Sequence, residues 1–323
     1  MLRLISSTLA GVAAAFSAAC QSPAAKQPAV PASLSGQVVD PSGAAVQAQV
    51  QIGEQTIETS MDGRFEVSPD ADLVYRIEFS ADGYYPMRQT FSHAELHANG
   101  DLGEIVLVAQ KPGRTLFLFG GDAMIGRRFY TPFEGEPVLV RETSVLEDSK
   151  QLLREMKPYI TRADYASINL ETPIFNTPPG AAAPKSVTFY SKPETLAALT
   201  WAGVDYVALG NNHTYDFLEP GLDITMQHLA QSDLDHSGAG KTETPALQPH
   251  REQRGDTAYD FLSYVGWPAG TPSQSADASK GGAALGTADN LLSTTRASID
   301  SGGVPILQFH GGLEYVEEPT LAM

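Results

Sequence analysis

Carboxylates, an amide and imidazoles that each close a short apolar run are the residues of this chain with the plainest chemistry. Asp122 follows the run Leu116–Phe119 and two glycines, and Glu171 follows Ala166–Leu170. Asn212 and His213 follow Tyr206–Gly210, and His310 follows Val304–Phe309. An apolar run bounded by Gly reads as a buried strand, which puts each polar residue just past a strand's C-terminal end. In open α/β sheets that edge is where ligands bind. A lone Asp after a strand is an ordinary helix cap. Four strand ends with one pattern instead predict a crevice that gathers Asp, Glu, Asn and two His.

Such a set suits a divalent pair such as Mn, Fe or Zn, because carboxylate and amide oxygens are hard donors and imidazole is borderline. Two neighbouring cations can share a bridging carboxylate, lower the pKa of a bound water and clamp both ends of an in-line displacement. Gly210, ahead of Asn212, is expected to turn the backbone sharply so that Asn212 and His213 face one site. Asp216, three residues past His213, either holds the imidazole in one tautomer or caps the helix that follows. The residues alone leave both readings open.

The elements that position these groups alternate. Helical spacing runs over Glu147–Met156, Pro193–Ala202 (closed by Gly203), Gly221–Leu229 and Ala288–Ser301, and Phe261–Val265 is a further buried strand. Strands alternating with helices predict a layered α/β domain with parallel pairing covered on both faces. Pro178–Pro184 and Pro268–Gly282 read as loops leaving this scaffold. Trp201 and Trp267 read as packing residues.

The chain ahead of this domain is different. Met1-Leu2-Arg3, an apolar stretch from Leu4 to Phe16 and the small residues Ser17-Ala18-Ala19 form an export signal over residues 1–20. Cys20 resembles the lipidation cysteine of bacterial lipoproteins, with Ser17 where Leu is usual, and residues 21–33 read as a tether. From Leu34, short alternating runs separated by Gly, Pro and Asp turns predict a small all-β sandwich over residues 34–109. Its S-G-x-V-x-D start, D-G-x-F centre and later G-Y resemble the carboxypeptidase regulatory-like fold, which implies a spacer. His93 and His97 read as solvated, and Lys111-Pro-Gly113 as a linker.

With 323 residues there is room for two domains. A net charge of −17 argues against nucleic acid as a partner and against docking on anionic lipid by charge alone. The single cysteine excludes an intramolecular disulfide.

Five segments, G-G-D-A-M (120–124), N-L-E-T-P-I (169–174), L-G-N-N-H-T-Y-D (209–216), H-S-G-A-G (236–240) and H-G-G-L-E-Y (310–315), resemble the CapA family of bacterial capsule-synthesis proteins, including those of poly-γ-glutamate. The resemblance covers residues 114–323 and implies a metallophosphatase-like layered α/β fold. By this likeness Asp122, Glu171 and Asn212 are metal ligands, and His213 is a proton donor or transition-state stabiliser. His310 completes one metal's shell, and His236 lies in a structural turn. Gly311-Gly312 stands where Trp-Gly is usual, and the family's later G-x-H-x-H segment is missing. The expectation is a domain lacking its C-terminal part, with a half-built site that holds at most one metal weakly and an exposed sheet edge.

Two functions follow as expectations. One is a metal-dependent hydrolase of the cell envelope, anchored to the membrane by lipid and acting on a phosphoester or an anionic polymer. The other is a non-catalytic capsule-assembly or tethering component that binds such a polymer.

Overall fold

Alternation of apolar and polar side chains builds the first unit. In Val74–Ser80, Tyr75, Ile77 and Phe79 are buried while the residues between them lie toward solvent. The computed structural model describes residues 33–68, 74–92, 95, 100–269 and 273–312. Cys20, His93 and His97 lie outside the described residues. The chain divides between Ala109 and Gln110 into two compact units.

Among the described residues, seven strands make the first unit: β1 (Leu34–Val39), β2 (Gln49–Ile52), β3 (Gln55–Glu58), β4 (Arg64–Val67), β5 (Val74–Ser80), β6 (Met87–Ser92) and β7 (Asp101–Val106). They form two sheets, ordered β4-β1-β7 and β3-β2-β5-β6. One core fills the unit, with Leu34, Val38, Val50, Phe65, Ile77 and Ile105 among its members.

The second unit opens with β8 (Phe117–Ala123), α1 (Val145–Leu153), α2 (Lys157–Ile160), β9 (Tyr165–Leu170), α3 (Glu194–Ala202), β10 (Tyr206–Ala208) and α4 (Leu218–Leu229). It continues through β11 (Asp235–Ser237), β12 (Ala239–Gly240), α5 (Glu243–Ala246), β13 (His250–Arg254), β14 (Thr257–Val265), β15 (Gly282–Ala283), α6 (Ala288–Asp300) and β16 (Gly303–His310). Strands β11-β10-β9-β8 lie parallel in one sheet. Leu196 and Leu199 of α3 and Leu222 and Leu229 of α4 pack on one of its faces, against Ala166, Ile168 and Val207.

The other face departs from the expected helix cover. A second sheet, β13-β14-β16, lies there, with β14 parallel to β16 and antiparallel to β13. Strand β14 alternates accordingly. Phe261 meets Tyr165 and Tyr206 of the first sheet, with ring centroids 5.0 Å apart in both pairs. Tyr264 Oη and Thr294 Oγ1 of α6 lie 2.6 Å apart on the far side, and Ser298 Oγ donates to Asp260 Oδ2 at 2.6 Å. The unit is therefore a helix–sheet–sheet–helix stack. A period-2 strand with one aromatic face demands a second apolar layer, and here that layer is another sheet.

Gly210 shows how tightly the layers meet. Its φ is not positive, so the expected sharp turn is not its role. A Cβ there would fall 2.3 Å from Tyr264 N and 2.6 Å from Ser263 O, both backbone atoms of β14. Its N–H donates to Ser263 Oγ at 2.8 Å. The glycine is required by close approach of two backbones. Gly210→Ala is expected to cost about 1–3 kcal/mol by overpacking. A lowered urea midpoint with an unchanged slope checks this, and an unshifted midpoint refutes it.

Candidate metal centre

The first donor is set by an irregularity in β8. The strand runs on through Gly120 and Gly121 to Ala123, so Asp122 lies within it and not past its end. The register with β9 shifts between Phe119 and Asp122, and this brings Asp122 opposite Asn169. A bulge of this kind re-aims the residues that follow it. Glu171 comes next to the end of β9, and its N–H donates to Ala123 O at 3.1 Å.

Beyond β10, Asn211 ties two strand ends together. Its Nδ2 donates to Leu170 O at 2.9 Å and to Asn169 Oδ1 at 3.0 Å, and its Oδ1 accepts the His213 N–H at 3.0 Å. Asn211 is fully buried. Asn212 and His213 are thereby both presented to the crevice. His310 is the last residue of β16, so the second sheet delivers the remaining imidazole.

The five residues meet. Asn212 Oδ1 and His310 Nε2 lie 2.7 Å apart. Glu171 Oε1 is 3.6 Å from His310 Nε2 and 3.8 Å from His213 Nε2. Asp122 Oδ1 is 3.5 Å from His310 Nδ1. Ligand atoms of Asp122, Glu171 and His310 all lie within 4.8 Å of one another. Asn169, which the sequence reading passed over, donates to Asp122 Oδ1 at 2.7 Å and sits 3.1 Å from His310 Nδ1. A cavity of about 320 Å³ lined by Phe119, Asp122, Asn169, Gln308, Phe309 and His310 opens here. Among the described residues, β8 and β16 are the outer strands of their sheets. Phe119, Leu307 and Phe309 stand exposed along them.

Asp216 is not a helix cap, since α4 starts at Leu218 behind Phe217. Its carboxylate is fully buried and faces His213 Nδ1 at 2.7 Å. Two further donors reach it from the segment after Pro184. Lys185 Nζ lies 2.7 Å from Oδ1, and Phe189 N–H donates to Oδ2 at 2.6 Å. The Phe189 ring stacks on His213 at 3.8 Å. The Asp216 carboxylate can only accept, so Nδ1 of His213 carries the proton toward it and Nε2 faces Glu171. Lys185 and Phe189 lie past the loop read as Pro178–Pro184 and were not singled out from the sequence, because neither belongs to a periodic pattern. Lys185→Met removes one partner of a buried pair and is expected to cost about 3–5 kcal/mol. Chemical denaturation measures it, and a loss below about 1 kcal/mol contradicts the geometry.

Two other expectations change. His236 is a strand residue in β11, paired with Val207, and the turn falls at Gly238, φ +93°. Trp267 is half-exposed and stacks with His310 at 6.1 Å, so it borders the site.

Burial, and after it the charge on Asp122, pushes the Glu171 carboxyl up to about 7. Contact with His310 holds Asp122 below the usual carboxylate range, against its partial burial. Burial keeps His213 below the ordinary imidazole value, opposed by its hydrogen bond to Asp216. Two crowded acids, and one imidazole that burial discourages from charging, fit a divalent cation. Because Glu171 is raised in the fold, it stabilises the cation-free protein below the ordinary Glu pKa, and that contribution disappears as pH rises through about 7. The cation-free protein is expected to melt lower at about pH 8 than at about pH 5, with a shallower trend in Glu171→Gln. Added Mn²⁺ offsets the loss, since coordination needs the carboxylate. Calorimetry reads all three, and identical slopes for Glu171→Gln and wild type refute the assignment.

Fold and donors together define a layered α/β protein with a candidate divalent-metal centre at its strand ends. The profile of the family described as bacterial capsule synthesis protein PGA_cap matches residues 116–322, and the chain belongs to that family. Capsule biosynthesis protein CapA of Bacillus anthracis is 30% identical over 123 residues, which cover 38% of this chain and 27% of that protein. The match thus spans little more than a quarter of the relative's length. The calcineurin-like phosphoesterase YfkN of Bacillus subtilis superposes with TM-score 0.38 and 14% identity over 64% of this chain and 65% of its own. A putative 5′-nucleotidase of Staphylococcus aureus gives TM-score 0.35 and 12% identity over 63% and 39%. Scores this low bear on neither site nor substrate.

Proposed function

We propose that the second unit is a divalent-metal-dependent hydrolase of capsule synthesis, acting on a phosphoester or on an anionic polymer such as poly-γ-glutamate. The observation that carries this reading is the meeting of Asp122, Glu171 and His310 within 4.8 Å, with Asn212 and His213 beside them. Asp122, Glu171, Asn212 and His310 are assigned as ligands. A divalent cation held there would supply Lewis acidity toward an anionic oxygen and a lowered pKa for water.

The chain's own residues do the rest. Glu171 stands between the two imidazoles and would be a central ligand. Asp216 accepts the Nδ1 proton of His213 and favours the charged ring, and in that imidazolium Nε2–H is the group that gives a proton to the departing oxygen. Trp267 walls the His310 side. Arg127 has its guanidinium 5.5 Å from the Phe189 ring that stacks on His213, which puts a positive charge near the crevice of an acidic protein. Its φ of +41° is an unusual conformation for a non-glycine residue, held here beside the site.

Export and anchoring through lipid on Cys20 complete the proposal, on the strength of the signal-like start alone. Among the described residues no helix is long and apolar enough to cross a membrane. Fatty-acid labelling of cells tests it, and labelling that survives Cys20→Ala refutes it.

The decisive experiment measures bound metal per chain together with release of phosphate from p-nitrophenyl phosphate and shortening of poly-γ-glutamate. Metal-dependent turnover supports the hydrolase. Stoichiometric metal and polymer binding without turnover on either substrate favours the tethering component.

A further inference from the structure

The second unit carries another set of metal-type donors, at the opposite end of the sheets from the candidate centre. Asp235 is the first residue of β11, and Tyr206, beside it in register, is the first of β10. His250 and Glu252 lie on β13 of the second sheet. Ligand atoms of Asp235, His250 and Glu252 all fall within 4.8 Å of one another. His250 Nε2 is 3.2 Å from Asp235 Oδ2 and 3.9 Å from Glu252 Oε2.

Nothing satisfies that nitrogen. His250 Nε2 is closed off from solvent and has no hydrogen-bond partner, so the Asp235 oxygen, though close, lies off the ring's N–H direction. A simple ion-pair network would have the imidazolium donating there. The carboxylates, in contrast, are supported by neighbours. Tyr165 Oη donates to Asp235 Oδ2 at 3.0 Å, whereas Arg254 Nε, 2.8 Å from Glu252 Oε1, makes no hydrogen bond and supports that carboxylate by its charge alone. Hydrogen-bonded support of ligating carboxylates is what a metal site's outer shell provides. Two carboxylates against one guanidinium leave a unit of negative charge facing a buried ring nitrogen. Side-chain exposures of 43% for Asp235 and 21% for His250 leave room for water to fill further positions.

We infer that Asp235, His250 and Glu252 form a second divalent-cation site. One imidazole and two carboxylates suit Zn²⁺ or Mn²⁺. Because Asp235 belongs to the first sheet and the other two to the second, the cation clamps the two sheets together. It stabilises the fold by linkage, since the unfolded chain has no such site. This inference is independent of the hydrolase reading.

The test uses the full chain carrying Asp122→Ala and Glu171→Gln, which disables the candidate centre, dialysed against chelator and titrated with Zn²⁺ by calorimetry. The expected result is one equivalent bound and a melting temperature that rises with Zn²⁺. His250→Ala and Glu252→Gln should each weaken binding at least about tenfold and remove the rise, and Tyr165→Phe should weaken it about tenfold. If His250→Ala does not fold, the near-isosteric Glu252→Gln decides. The site is overturned if no Zn²⁺ binds up to about 1 mM. It is equally overturned if binding is unchanged by the substitutions at positions 250 and 252.

Discussion

Glu171→Ala is expected to strip the candidate centre of its cation. Glu171 Oε1 is the carboxylate oxygen that lies between both imidazoles, 3.6 Å from His310 Nε2 and 3.8 Å from His213 Nε2. Losing a residue that only supports a ligand costs about 10–100-fold in metal affinity. Losing the central carboxylate itself should cost at least about 100-fold. The substitution also removes the acid that burial and Asp122 push up to about 7, so the cation-free variant should not be less stable at neutral pH. Metal analysis after gel filtration, with Mn²⁺ titration of wild type and variant, gives the answer. Unchanged stoichiometry and affinity would dismiss Glu171 as a ligand.

His213→Gln is expected to separate chemistry from binding. The imidazole is held by Asp216 at Nδ1, by Phe189 stacked on its face and by the backbone N–H bond to Asn211. Such an anchored ring acts through its free Nε2. Removing a positioned proton donor typically lowers the rate about 10²–10⁴-fold. Bound metal and KM should stay close to wild type, while kcat falls. If metal leaves together with activity, His213 is a ligand. If neither changes, the proton comes from elsewhere.

Much of this site was legible in one dimension because the signal is local. An apolar run followed by a metal-type donor needs only a strand and its end. Asp122, Glu171, Asn212, His213 and His310 were found that way, and they come together in space. Asn169 and Asn211 were not singled out, although both sit inside recognised segments. Nothing in an Asn-Asn pair says that Asn211 turns in to pin Leu170 O and Asn169, while Asn212 reaches His310. Lys185 and Phe189 had no local signal at all. They arrive by a loop, and their role exists only because that loop closes on Asp216.

Periodicity and residue chemistry marked from the chain alone β8, β9, β10, β14 and β16, the helices α1, α3, α4 and α6 and the donors near the strand ends, though not β11 or β13, because such signals depend on neighbours in sequence. Which layer covers the second face of the parallel sheet depended on the whole unit. The aromatic face of β14 can pack on helices or on a sheet with similar burial, and only assembly chose the sheet. That choice explains Gly210, whose missing Cβ lets β14 pass against it, and not the sharp turn that its place in the motif implied. It also brings His310 across from the second sheet to Asn212, and sets His250 and Glu252 against Asp235 at the far end. Contacts between residues tens of positions apart carry no trace in local sequence, since they are fixed by the packing of completed elements.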